Sequence, residues 1–176
     1  MSLIAKATVP RIAVAALVVS LALIAGAHAF EIWGGLPPCP LCLRQREAHW
    51  TAAAIAALAF ALSRHPKGRE FAAWPLVALA LVYAVGAGIA AYHVGVEWGL
   101  FEAPASCAAA TGPGIESTSD LLRRLQAPAE AAACDQVGWS LFGITLAGYN
   151  LLISLALAGL AAAAAWSGLV RRPISA

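Results

Sequence analysis

Charge is scarce in this chain. Asp, Glu, Lys and Arg make up 11% of its 176 residues, against about 25% in a soluble domain. With 61% hydrophobic residues and a mean hydropathy of +0.78, the deficit excludes an ordinary soluble globule and points to lipid. Net charge is only +2 and the basic residues form no stripe, so nucleic acid is not an expected partner. Repeats and low-complexity tracts are lacking beyond alanine-rich runs such as Ala52-Ala53-Ala54, which in lipid allow close helix approach. Cysteine is sparing too, at four residues. One pair has CxxC spacing, whereas paired zinc knuckles use two such turns. Leu43 follows Cys42, where c-type haem attachment requires a histidine.

What the chain does contain is four long apolar stretches. They predict an all-α membrane protein, a four-transmembrane-helix bundle forming a single domain over 1–176. The expected spans are about 12–30, 43–62, 71–92 and 141–166, with outer loops at about 31–42 and 93–140. Ala27-His28-Ala29 resembles a signal-peptidase site, but the apolar run continues past it to Trp33, which favours a retained helix. The second stretch is long enough to cross only if Arg44–Trp50 lies at headgroup depth. Lys6, Arg11, Arg64, Lys67, Arg69, Arg171 and Arg172 fall on one side of this bundle, and Arg44, Arg46, Arg123 and Arg124 on the other. The asymmetry predicts cytoplasmic termini and external loops, hence a multi-pass membrane protein with its cysteines in an oxidising compartment. Inside the long loop, Leu121, Leu122 and Leu125 suggest a short amphipathic helix over 119–125, flat on the membrane or packed on the bundle.

The chemistry concentrates in Cys39-Pro40-Leu41-Cys42-Leu43-Arg44-Gln45-Arg46. Pro40 suits a first helical turn. Cys42 and Arg46 are four apart and share a helix face. A helix N-terminus and a nearby cation both favour a thiolate. His49, seven after Cys42, continues that face, although an interfacial polar residue explains it equally well. Cys107 and Cys134 lie in the long outer loop among small residues. A structural staple would explain that pair alone, but not a CxxC at the membrane surface beside an arginine.

These residues, with Tyr92-His93 near the end of the third span, resemble the disulfide bond formation protein B (DsbB) family. The resemblance covers nearly the whole chain. The loop between Cys107 and Cys134 has no residue-by-residue match, and Arg44 and Gln45 carry little weight. It implies a thiol oxidase that re-oxidises a periplasmic DsbA-like, thioredoxin-fold dithiol protein and passes the electrons to a membrane quinone, ubiquinone or menaquinone. It implies redox-active disulfides Cys39–Cys42 and Cys107–Cys134, with Arg46 and His93 contacting the quinone and no metal. Chemistry agrees: exchange needs an attackable outer disulfide and a second one near lipid, where an apolar acceptor reaches. The implied order is partner attack on Cys107, then attack by Cys134 on Cys39, which frees Cys42. Competing readings are a b-type haem protein using His28 and His93, an inert scaffold stapled by two disulfides, and a vitamin K epoxide reductase-like enzyme. The last is expected to carry its CxxC in a later helix.

Overall fold

A computed structural model describes residues 3–68, 70–108, 118 and 132–170, apart from the side chains of 3–7, 108 and 170. The helix expected over 119–125, and Arg69, Arg171 and Arg172, lie outside the described residues. The elements are α1 (Leu3–Ile32), α2 (Pro40–Arg64), α3 (Ala73–Glu97), the single turn α4 (Ala105–Ala108), strands β1 (Ser140–Leu141) and β2 (Ile144–Thr145), and α5 (Leu146–Val170).

The four long helices form a bundle in which α1 packs on α2, α2 on α3, α3 on α5 and α5 back on α1. Its interior is small: Ala13, Ala16, Ala52, Ala56, Ala59 and Ala161 are almost wholly buried. Ala52, Ala56 and Ala59 recur at helical spacing, which turns one alanine face of α2 inward. Large apolar side chains point outward instead, with Val18, Leu81, Val85 and Leu152 each more than half exposed. Small residues inside and large apolar ones outside is the pattern of a bundle solvated by lipid, where close packing rather than burial from water joins the helices. Among the described residues, three helices are apolar and long enough to cross a bilayer, over Thr8–Ile32, Ala73–Glu97 and Leu146–Leu169. The remaining long helix, α2, has 25 residues. Its N-terminal half carries the polar side chains of the site.

Local chemistry brings the helix ends together. Cys39 is the N-cap of α2: it is extended, and its sulfur accepts the Cys42 N–H at 3.0 Å. Pro40 occupies the first turn without losing a hydrogen bond. At the end of α3, Gly99 takes φ +69°, the Gly99 N–H reaches the Val96 carbonyl and the Leu100 N–H reaches that of Gly95. This Schellman closure reverses the chain. Phe101 then lies over Gly95, where any Cβ would overlap its ring, and stacks on Tyr92 at 5.6 Å. The reversal carries α4, and Cys107 with it, back to the N-terminus of α2.

Residues 140–145 form an antiparallel hairpin, Ser140 opposite Thr145 and Leu141 opposite Ile144. Phe142 and Gly143 both have positive φ, as a two-residue type I′ turn demands. The fourth long helix therefore starts at Leu146, and Leu141 belongs to the hairpin. Apolar content alone does not separate a short strand from a helix start.

Candidate functional site: two disulfides above a lined cavity

Both cysteine pairs are disulfides, Cys39–Cys42 with Cα atoms 5.0 Å apart and Cys107–Cys134 with Cα atoms 5.6 Å apart. They share one apolar cluster: Cys39, Cys107 and Cys134 pack with Val96, and Cys42, Leu41 and Ala132 close its edge. The sequence led us to expect an exposed outer disulfide. Instead Cys107 and Cys134 are each only 1% exposed, because α4 folds onto α2. In this state the outer pair is shielded, and it packs beside Cys39.

Beneath the disulfides is a cavity of about 290 Å³. One wall is apolar, from Leu23, Gly26 and Phe30 of α1 to Leu36 and Leu146. The other carries Cys42, Gln45, Arg46 and His49 of α2, with His93 and Asn150 opposite. The α2 residues stand at spacings of three, four and seven, so they form one polar face.

Arg46 is on the cavity wall, as the spacing from Cys42 suggested, but its charge is not free. It donates to Glu31 Oε2 at 2.6 Å and to the Ala27 carbonyl at 3.2 Å. The guanidinium thus ties α2 to the end of α1. His93 is buried. Its Nε2 faces Cys39 Sγ at 3.7 Å and Glu97 Oε1 at 3.9 Å. Its Nδ1 meets Gln45 Nε2 at 2.9 Å. Glu97 is also buried, and its other oxygen accepts the Thr145 hydroxyl at 2.7 Å.

From Gln45 a polar chain runs down the bundle. Asn150 Nδ2 donates to Gln45 Oε1 at 2.5 Å, and His49 Nε2 meets Asn150 Oδ1 at 2.7 Å. His49 Nδ1 lies 3.3 Å from Ser20 Oγ, which is 2.7 Å from the Tyr83 hydroxyl. These contacts bridge both diagonals of the bundle, α2 to α5 and α1 to α3. Among the described residues no buried side-chain nitrogen or oxygen lacks a partner.

The structure thus gathers Cys39, Cys42, Arg46 and His93 around one cavity and sets Cys107 and Cys134 against them. Sequence reasoning gave Gln45 little weight and missed Glu31, Glu97, Asn150, Ser20 and Tyr83. A lone amide in an apolar span, Asn150, was the available signal, since such a group is costly in lipid without a partner. Cys39, Cys42 and His93 bring three potential metal ligands within 4.8 Å of one another. As a disulfide, however, the two sulfurs offer no thiolate to a metal.

The fold and the site together define a helical membrane protein with two disulfides packed against each other at one end of the bundle. The comparisons fix the family. The sequence model described as Disulfide bond formation protein DsbB matches residues 10–164, and the chain belongs to that family. It is 32% identical over 142 residues to Disulfide bond formation protein B of Methylococcus capsulatus, covering 77% of this chain and 81% of the relative. The like-named protein of Marinobacter nauticus is 31% identical over 144 residues, at 77% and 82% coverage. That of Nitrosococcus oceani is 30% identical over 131, at 72% and 73%. No solved structure gives a significant match.

Proposed function

We propose that this membrane disulfide-formation protein is a thiol:quinone oxidoreductase. It re-oxidises a periplasmic, thioredoxin-fold dithiol partner of the DsbA type and delivers the electrons to a quinone in the cavity beside Cys42. The observation that carries this reading is the juxtaposition itself: two packed disulfides, one of them opening onto an apolar cavity with a few polar groups. Such lining suits a flat, mostly apolar ring bearing two oxygens. Cys42, Arg46 and His93 are the residues that would hold it, and the ring would supply a sink for two electrons and two protons.

The protein steps balance as thiol–disulfide exchanges. A partner thiolate attacks Cys107, the Cys107–Cys134 bond breaks, and Cys134 leaves as a thiolate. Cys134 attacks Cys39 and releases the Cys42 thiolate at the cavity wall, near the Arg46 guanidinium. The partner's second thiol closes its own disulfide and frees Cys107. Cys107 then recaptures Cys134 and leaves Cys39 as a thiolate. The partner has lost two electrons and two protons, which Cys39 and Cys42 now hold as a reduced pair, and re-formation of the Cys39–Cys42 disulfide would release both electrons and both protons to a bound quinone. The basic-residue asymmetry supports a bacterial inner-membrane setting with cytoplasmic termini and the disulfides on the periplasmic side. A partner this oxidising, near about −120 mV, requires an acceptor outside the glutathione pool.

The test is oxidation of a reduced DsbA-like protein by the purified chain, followed by loss of quinone absorbance. One disulfide should form per quinone consumed, and Cys42→Ser should abolish consumption. Partner oxidation that proceeds equally without quinone would refute the assignment.

A further inference from the structure

The polar chain beneath His93 has a direction, which follows from counting protons. The groups placed against His93 Nε2 are hydrogen-bond acceptors, Cys39 Sγ at 3.7 Å and Glu97 Oε1 at 3.9 Å. Nε2 therefore carries a proton. Gln45 presents its amide nitrogen to His93 Nδ1, so Nδ1 accepts and bears none. Gln45 keeps that orientation because its oxygen accepts from Asn150 Nδ2. Asn150 is fixed because its own oxygen receives both His49 Nε2–H and the Ser154 hydroxyl, at 2.7 and 3.3 Å. His49 then has a bare Nδ1, which accepts from Ser20. The Tyr83 proton is shared between Ser20 Oγ and the Ala16 carbonyl at 3.2 Å. With the Gln45 and Asn150 amides so placed, each donor from Ser20 to His93 points toward the disulfide, and turning the amide of Gln45 or of Asn150 alone would set two donors or two acceptors face to face.

We propose that Gln45 and Asn150, fixed in turn by His49 and Ser20, are positioning residues that hold the His93 ring neutral, with its one proton on Nε2 and facing Cys39. The inference rests on the oxidoreductase reading only for its use. When Cys107 recaptures Cys134 and the Cys39–Cys134 bond breaks, the electron pair stays on Cys39. The aimed N–H is then a ready donor to that thiolate. A His93 protonated on both nitrogens would demand an acceptor at Gln45, and the chain denies it one.

The experiment is ¹⁵N NMR of histidine-labelled protein in lipid nanodiscs at neutral pH, with His93→Gln identifying the resonances. Wild type should show a protonated Nε2 and an unprotonated Nδ1 at His93. Gln45→Glu keeps the volume but places an acceptor at Nδ1, so both His93 nitrogens should become protonated. Asn150→Leu frees the Gln45 amide to turn. His93 should then show Nδ1 protonation, and quinone-linked kcat should fall roughly tenfold, the loss of about one charge-assisted hydrogen bond, with the quinone KM changed less than twofold. A wild-type His93 protonated on Nδ1 overturns the proposal, as does a Gln45→Glu or Asn150→Leu protein with an unaltered ring. If Asn150→Leu does not fold, the near-isosteric Gln45→Glu spectrum decides alone. A protein inert toward quinone whose His93 behaves as stated refutes the oxidoreductase reading and leaves the positioning intact.

Discussion

The Glu31–Arg46 pair offers the most direct way to ask what the arginine does. Arg46 is 14% exposed and Glu31 37% exposed at the side chain, with 2.6 Å between Nη1 and Oε2. At about 4 Å and an effective dielectric near 20, a pair of unit charges attracts by about 4 kcal/mol. Desolvation of the arginine and screening at the more exposed carboxylate reduce this to about 1–2 kcal/mol. Glu31 thus draws off part of the field that the guanidinium would otherwise apply to Cys42. Glu31→Gln keeps an acceptor for Nη1, and the Ala27 carbonyl still holds Nη2, so the side chain stays in place while its charge is released. The Cys42 thiolate should then be better stabilised, and kcat/KM for quinone should rise two- to fivefold, for a gain of about 0.5–1 kcal/mol. Arg46→Ala should lower it at least tenfold. Arg46→Lys should recover part of the loss, because a point charge survives but the two-pronged grip on Glu31 and Ala27 does not. Steady-state quinone reduction with a reduced dithiol partner measures all three. If Glu31→Gln loses as much activity as Arg46→Ala, Arg46 works as a helix tie and not as a cation beside sulfur.

Cys134→Ser should accumulate a mixed disulfide between Cys107 and a thioredoxin-fold partner, visible on a non-reducing gel, whereas Cys107→Ser should trap none. Trapping on Cys134 instead would reverse the roles assigned to this pair. Gly95→Ala should push Phe101 off Tyr92, a loss of about 1 kcal/mol. It should speed proteolysis within 99–106, and Phe101→Ala in the same chain should remove the clash; an unchanged digestion rate would contradict the turn's role in placing α4. A reporter fused after Ala176 should be active only if it functions in the cytoplasm, and activity restricted to exported reporters would invert the topology.

The bundle was legible because lipid imposes it. A chain this short of charge has few ways to satisfy its backbone other than long helices, and the alanine faces followed from spacing. The first ring of the site was legible for a similar reason. Cys39, Cys42 and Arg46 lie within one stretch of helix, so local geometry alone places them together. What the sequence concealed was long-range pairing. Asn150 meets Gln45 and His49 from about a hundred positions away, and although a lone amide in α5 calls for a partner, nothing local says which. Ser20 and Tyr83 look like ordinary span residues until the diagonals of the bundle are seen to cross. The burial of Cys107 was hidden in the same way, since it depends on the turn at Gly99 returning α4 to α2.

On the proposed reading, that burial alters how a dithiol partner would approach. With Cys107 and Cys134 each 1% exposed, no incoming thiolate can come into line with the outer disulfide while α4 stays packed, and exchange requires that alignment. The cluster around Val96 therefore has two consequences. It keeps Cys134 beside Cys39, which favours transfer between the pairs, and it closes Cys107 to thiols in bulk solution. Opening costs little if it breaks only the contacts of one four-residue turn and the Phe101 stack. A thioredoxin-fold partner that binds the displaced segment can supply that energy, whereas a small thiol such as glutathione makes no comparable contact. Under that reading, specificity for a protein partner would come from the packing of α4 as well as from redox potential. Loosening α4 should raise reactivity toward small thiols more than toward the partner.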